Sequence, residues 1–108
     1  MISIRRVAYM KLHITQEAAN WYVNELELDT PTQIRLFPRY GGVGGIIPGY
    51  SVGINNDLPE VVHASSIVSG IKFFIEEKDA WYFDGYHLTI QFDEELNEPE
   101  FIYESQRR

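Results

Sequence analysis

The stretch YHLTIQF, residues 86–92, carries the most regular pattern in the chain. Its apolar and polar residues alternate from Tyr86 to Phe92, which is typical of a β-strand with one buried face. Weaker strand patterns, most of them separated by turn-forming residues, occur at 12–14, 33–37, 50–54, 60–65, 71–75 and 101–103. Pro38 is expected to confine the strand at 33–37 to a sheet edge or a strand end. Short strands joined by short links predict a mostly β fold.

One helix is predicted, near the N-terminus. Thr15 is a good N-cap, and apolar residues at 18, 19, 22, 23 and 26 share one helical face. The helix is expected from Gln16 to about Leu26, because Thr30 precedes a proline and is disfavoured in the α region. Residues 76–85 have room for one helical turn. The predicted fold class is therefore α+β, mostly β with one N-terminal helix.

Composition excludes several classes of function. The 108 residues include no cysteine, so disulfides, thiolate nucleophiles and cysteine-ligated iron–sulfur clusters are excluded. The formal net charge is −7, and most of the excess lies after residue 50. Such a chain repels phosphate backbones and anionic lipids, so neither nucleic acid nor a membrane is expected as a partner. No secretory signal is recognisable, and a cytoplasmic location is predicted.

Residues 1–9 are predicted to be a leader that is non-native or disordered. Met10 opens a strand and a helix, and Arg5 and Arg6 can be encoded by the purine-rich sequence that recruits bacterial ribosomes. The hypothesis is that translation starts at Met10; a genuine short tail is the alternative. Residues 10–108 are predicted to form a single domain.

The glycine-rich stretch RYGGVGGIIPGY, residues 39–50, invites comparison with phosphate-binding loops. It lacks the Lys-Ser or Lys-Thr that ends a Walker loop, and a dinucleotide pattern starting at Gly42 reaches Ile47 in place of its last glycine. No predicted helix follows to hold an anion. A tight connection between two strands remains as the structural explanation.

The order of the elements resembles the HesB/IscA-like family of iron–sulfur biogenesis proteins. The similar segments are LHITQEAANWYVNEL (12–26), IRLFPRY (34–40), the glycine loop, and Asp84-Gly85 ahead of the strand at 86–92. The resemblance implies a HesB-like compact β-sandwich or barrel. It also implies that Gly42, Val43, Gly44 and Gly45 form a ligand- or partner-binding loop.

A-type members of that family carry one cysteine in this loop and a Cys-Gly-Cys near the C-terminus, and all three are absent here. Val43 stands at the loop position. The resemblance thus implies an accessory or partner-binding protein of iron–sulfur biogenesis without a cluster, and allows a homodimer. Weak iron binding through other donors stays open. The alternative is a small-ligand-binding module that uses the glycine loop.

No set of residues in the sequence indicates catalysis. His13, His63 and His87 show no metal-binding spacing, and no GxSxG elbow accompanies the serines. No catalytic or metal-ligating residue is therefore predicted. Aromatic residues cluster near the glycine loop and near Asp84, and core packing explains most of them. An exposed subset, with Tyr40, Trp81 and Tyr82 as the candidates, is expected to form a protein- or ligand-binding patch.

Overall fold

The computed structural model describes residues 9–42 and 44–106. The predicted leader lies outside them except for Tyr9, and the single-domain prediction for 10–108 stays a prediction. The elements are β1 (Leu12–Ile14), α1 (Gln16–Glu25), β2 (Thr32–Tyr40), β3 (Tyr50–Asn56), β4 (Val62–Val68), β5 (Ile71–Glu76), a 3₁₀ turn (Glu77–Asp79), α2 (Ala80–Phe83), β6 (Tyr86–Asp93) and β7 (Glu98–Ser105). No helix in the described ranges is long and apolar enough to cross a membrane.

Helix α1 begins as the sequence predicts. The Thr15 hydroxyl accepts a hydrogen bond from the backbone N–H of Ala18 at 3.2 Å, which is the interaction of an N-cap residue. Ala18, Ala19 and Tyr22 are buried, whereas Leu26, just beyond the end of the helix, is 42% exposed. The helix thus packs on the sheets through a narrow face made mostly of small side chains.

The first sheet has the order β1-β6-β7. Strand β1 is parallel to β6, with Leu12 opposite Leu88, and β6 is antiparallel to β7, with Leu88 opposite Tyr103. Leu12, Ile14, Leu88 and Ile90 are buried, while the intervening residues of β1 and β6 are exposed or partly exposed. This is the alternation that the stretch 86–92 predicts.

The second sheet has the order β3-β2-β5-β4. Strand β2 is antiparallel to β3 and parallel to β5, and β5 is antiparallel to β4. Phe73 and Phe74, successive residues of β5, are both fully buried, so both faces of this strand are covered. Pro38 is tolerated within β2 because the pairing with β5 ends at Arg35, which leaves Pro38 opposite Val52 with β3 as its paired neighbour.

The two sheets share one hydrophobic core, to which both contribute buried side chains such as Ile34 and Leu88. They do not join into a closed barrel, because β3 and β7 are edge strands with no hydrogen-bonded pairing between them. The mostly β prediction is confirmed and the barrel prediction is wrong. The prediction of a single helix is also wrong, because residues 77–83 form a 3₁₀ turn followed by α2.

Candidate functional site

The loop between β2 and β3 is held against its own strands. Gly41 N–H donates to the carbonyl of Gly49 at 2.6 Å, and Tyr50 N–H donates to the carbonyl of Ile47 at 3.1 Å. These bonds fold the loop back on itself. This geometry agrees with a tight connection between strands, the structural explanation of the glycine-rich sequence.

Gly45 approaches its surroundings most closely. A Cβ at this position would collide with the Tyr82 hydroxyl and with the carbonyl oxygen of Tyr50. The same hydroxyl accepts a hydrogen bond from the backbone N–H of Ile46 at 3.0 Å. The absence of a side chain at position 45 therefore allows α2 to anchor the loop.

The structure describes three of the four residues of the predicted loop site. Gly42, Gly44 and Gly45 lie in this loop, and Gly42 would need Ser51 to move if it carried a Cβ. Val43, the fourth predicted residue, lies outside the described residues. Gly44 and Gly45 also line a small cavity of about 150 Å³ with Ser51, Val52, Phe101 and Tyr103.

An aromatic cluster lies beside the loop; it comprises Tyr40, Tyr50, Trp81 and Tyr82. Tyr50 is its centre, with ring centroids 5.6 Å from Tyr40, 5.8 Å from Trp81 and 6.1 Å from Tyr82. The first two contacts are edge-to-face, the arrangement that aromatic quadrupoles favour. Three separate elements, β2, β3 and α2, thus converge on one surface.

The members of this cluster differ in exposure. Tyr40 is 83% exposed and Trp81 is 53% exposed, whereas Tyr82 is buried. Tyr82 is therefore wrong as a member of an exposed patch, because successive helical residues point about 100° apart and α2 turns it inward. Tyr50, which the prediction did not include, connects the two exposed rings. The sequence did not indicate this role, because Tyr50 fits the apolar alternation of β3 and is explained by it as a core-facing residue.

Apart from the aromatic cluster, a group of charged side chains surrounds Arg35 of β2. Arg35 donates from Nη2 and Nε to Asp79 Oδ2 at 2.8 and 3.1 Å, and from Nη1 to Asp57 at 3.5 Å. Its guanidinium also lies 5.1 Å from the centroid of the Phe37 ring. The hydrogen bond to Asp79 raises the pKa of Arg35, although burial opposes it. The Arg35 guanidinium is thus engaged by Asp79 and Asp57 and has a structural role.

Glu76 is a buried carboxylate in the same region, 4% exposed. Burial acts to raise its pKa, but hydrogen bonds from the backbone N–H groups of Glu60 and Val61, at 2.8 and 3.0 Å, act against this. With the charges of Arg35 and Lys78 added, the net effect is a lowered pKa. Glu76 thus holds the segment between β3 and β4 in place as an acceptor.

A cavity of about 460 Å³ is lined by these charged groups. Arg35, Glu76 and Lys78 line it together with residues 57–60. The carboxylates of Glu76 and Asp79 are already occupied by backbone donors and by Arg35. Within residues 9–42 and 44–106, no three His, Asp or Glu side chains come together as a metal site.

The three histidines lie on three strands, β1, β4 and β6, and the register of β1 with β6 places His13 opposite Thr89, on the same face as His87. His87 Nδ1 accepts a hydrogen bond from the backbone N–H of Lys11 at 2.9 Å, which fixes its ring against the start of β1. His13 is exposed and His63 is partly buried on β4.

No protein-family model matches the chain. Over 95 residues the chain is 41% identical to the pyruvate dehydrogenase inhibitor of Bacillus subtilis (strain 168), covering 88% of this chain and 100% of the relative. The chain belongs to the family of this pyruvate dehydrogenase inhibitor.

Uncharacterized members of the family occur in staphylococci. A protein of Staphylococcus epidermidis is 32% identical over 98 residues, covering 87% of this chain and 97% of its own. A protein of Staphylococcus saprophyticus is 30% identical over 92 residues, covering 82% and 94%.

The predicted relation to HesB/IscA-like proteins is wrong, and so is the predicted accessory role in iron–sulfur biogenesis. The B. subtilis relative is a pyruvate dehydrogenase inhibitor, and nothing in the comparisons supports an iron–sulfur carrier. The physical reason is that an order of strands around a glycine loop is a backbone pattern that unrelated β proteins share. The cysteines, which would have been specific, are absent.

Proposed function

We propose that this chain inhibits pyruvate dehydrogenase by binding to it, without chemistry of its own. The observation that carries the proposal is the 41% identity over the whole length of the B. subtilis pyruvate dehydrogenase inhibitor. Engagement of Arg35, Glu76 and Asp79 in internal contacts supports a binding role over catalysis.

The exposed part of the aromatic cluster is the proposed contact surface. Tyr and Trp dominate the binding energy of protein interfaces because they bury large rigid areas and keep a polar handle. Tyr40 and Trp81 each contact the Tyr50 ring edge-to-face, which reduces the side-chain entropy that they lose on binding. The net charge of −7 favours association with a basic surface of the enzyme.

The test is a titration of the purified chain into purified B. subtilis pyruvate dehydrogenase. Pyruvate-dependent reduction of NAD is followed at several pyruvate concentrations, and binding is measured in parallel by biolayer interferometry. We expect a saturable fall in rate whose midpoint matches the dissociation constant. Unchanged rates together with no measurable binding would overturn the proposal.

Binding without inhibition would also contradict the proposed function. Incubation for different times before the assay provides the control for catalysis by the chain. Inhibition by reversible binding reaches a constant level that dilution relieves, whereas modification of the enzyme progresses with time and survives removal of the chain.

A further inference from the structure

The edge strands β3 and β7 belong to different sheets, and two cavities lined by residues of both strands form a groove between them. We call this groove the seam; Val52 and Ile54 of β3 form one side and Phe101 and Tyr103 of β7 the other. A cavity of about 150 Å³ lies at the glycine-loop end and one of about 310 Å³ at the α1 end. Val52 and Phe101 line both cavities, so the seam is continuous.

The side chains that line the seam are mostly apolar. Trp21 and Tyr22 of α1 line the larger cavity, together with Ile54 of β3 and Pro99 of β7. Val52, Ile54, Phe101 and Tyr103 are only partly buried and pack against the edge of the core. An apolar side chain entering the seam would therefore complete the burial of residues that the chain itself leaves half covered.

Strand β3 has none of the usual devices that protect a sheet edge. Such edges are normally very short, bulged, or interrupted by charges and prolines. Strand β1 has three residues, β4 has an irregular register between Val62 and Ala64, and β7 contains Pro99 and several glutamates. Strand β3 is seven residues long, pairs with β2 without interruption, and has neither a charge nor a proline.

The edge of β3 is thus a regular template for another strand. Alternate residues of an edge strand direct their N–H and C=O groups away from the paired neighbour. The glycine loop reaches the start of the strand, where Ile47 accepts the Tyr50 N–H. The stretch from Val52 to Asn56 continues past this loop.

The charges around the seam favour a strand of a particular charge as its occupant. On β7, Glu98, Glu100 and Glu104 are exposed, and Glu98 also lines the larger cavity. Strand β7 has no basic residue, and β3 has no charge. An acidic strand, or a second copy of this chain with its net charge of −7, is disfavoured by this rim, whereas lysine or arginine is favoured.

We infer that the seam binds an extended, basic-flanked segment of a partner protein, which adds to β3 as a further strand. Apolar residues at alternate positions of the segment fill the two cavities, and a flanking basic residue faces Glu98, which lines the larger cavity. This mode of recognition takes affinity from backbone hydrogen bonds and specificity from alternate side chains. It is a separate site from the exposed aromatic cluster and does not depend on inhibition of pyruvate dehydrogenase.

The test uses a panel of synthetic peptides and the full chain labelled with ¹⁵N. The parent peptide is KVTVTVTVK, and further members replace valine by leucine or phenylalanine. A glutamate-flanked peptide, EVTVTVTVE, serves as the control for charge. We expect saturable amide shift changes centred on Val52, Ile54 and Phe101, slower hydrogen exchange in β3, and several-fold weaker binding of the glutamate-flanked peptide.

Charge reversal on the rim gives a matched pair of variants that leaves the core intact. Glu98→Lys is expected to weaken the lysine-flanked peptides several-fold and to strengthen the glutamate-flanked one. Glu77→Lys makes the same change in net charge at an exposed residue of the 3₁₀ turn, outside the seam, and should leave the preference unchanged.

Three results would overturn the inference. One is a lack of shift changes in β3 with the whole panel, and another is binding that maps to a different face. The third is a dimer of the free chain in analytical ultracentrifugation with β3 amides protected, since a second copy would then be the occupant of the seam.

Discussion

The hydroxyl of Tyr82 accepts a hydrogen bond from the backbone N–H of Ile46, with 3.0 Å between the oxygen and the nitrogen. A buried side chain of α2 thus holds the loop that leads from β2 into β3. Because Trp81 precedes Tyr82 in the same helical turn, this bond also fixes where the exposed indole lies relative to Tyr40 and Tyr50. The loop and the aromatic surface are therefore parts of one assembly.

Removal of this hydroxyl is expected to loosen the loop without unfolding the protein. Tyr82→Phe leaves the half-buried N–H of Ile46 without its acceptor, which should lower the free energy of unfolding by about 1 kcal/mol. Chemical denaturation measures the loss, and amide hydrogen exchange should become faster at Ile46. Tyr40→Phe removes a hydroxyl from a side chain that is 83% exposed and should change neither quantity.

The glycines of the loop are expected to differ in what they tolerate. Gly45→Ala forces its Cβ against the Tyr82 hydroxyl and the Tyr50 carbonyl, whereas Gly44→Ala meets open space and only the strain of a positive φ of 86°. Gly44→Ala should therefore destabilise by about 1 kcal/mol and Gly45→Ala by clearly more. Equal midpoints of thermal unfolding for the two variants would contradict the close approach at position 45.

The exposed aromatic residues are expected to carry inhibition, if the proposed function holds. Trp81→Ala and Tyr40→Ala should each raise the midpoint of inhibition of pyruvate dehydrogenase, the former by about tenfold or more, because truncation of an interface hot spot typically costs about 2 kcal/mol or more. Far-ultraviolet circular dichroism checks that the variants are folded. Tyr9→Ala, which removes an aromatic ring that is 74% exposed elsewhere, should inhibit like the parent chain.

The two carboxylates that contact Arg35 are expected to differ in importance. The side chain of Asp79 is 10% exposed and 2.8 Å from Nη2, while that of Asp57 is 45% exposed and 3.5 Å from Nη1. Asp79→Asn should cost about 2 kcal/mol of unfolding free energy, because it weakens the shortest hydrogen bonds of a partly buried charge. Asp57→Asn should cost under about 1 kcal/mol. A larger loss for Asp57→Asn, measured by denaturant titration, would reverse this assignment.

The buried carboxylate of Glu76 is expected to contribute to acid sensitivity. Its pKa is lowered in the folded state from the ordinary value of 4.5, so its stabilising contribution is fully present above that value. The contribution is lost as the pH falls from about 4.5 through the lowered pKa, because the unfolded chain then binds the extra proton. The difference in unfolding free energy between the parent chain and Glu76→Gln should therefore shrink on acidification over this range. Parallel pH profiles for the two proteins would contradict the assignment.

Local sequence signals predicted the elements of the fold well. Thr15 caps α1 as expected, and the alternation at 86–92 became β6 with Leu88 and Ile90 buried. The ends of strands were less predictable: the prediction placed the end of the third strand at residue 54, whereas β3 continues to Asn56. Asn55 and Asn56 have turn-forming side chains, but the register with Arg35 and Ile34 keeps them extended.

Long-range relations were beyond the sequence patterns. Nothing in the neighbourhood of Arg35 shows that its partner is Asp79, because that pairing follows from the parallel placement of β2 and β5. The aromatic surface was predicted in part, since Tyr40 and Trp81 are exposed, but the orientation of Tyr82 depends on a short helix whose pattern was ambiguous. The predicted relation to HesB/IscA-like proteins was wrong because it depended on the order of elements along the chain, and this order does not specify a chemical function.

The pairing of the first strand has a consequence for how the protein is made. Leu12 of β1 lies opposite Leu88 of β6, so β1 pairs with a strand that is distant from it in sequence. Such non-local pairing raises contact order and slows folding. During synthesis, the apolar β1 and the helix behind it emerge from the ribosome long before β6 does. Completion of this sheet is therefore a late step of folding, and β1 stays without its paired strand until β6 has been made.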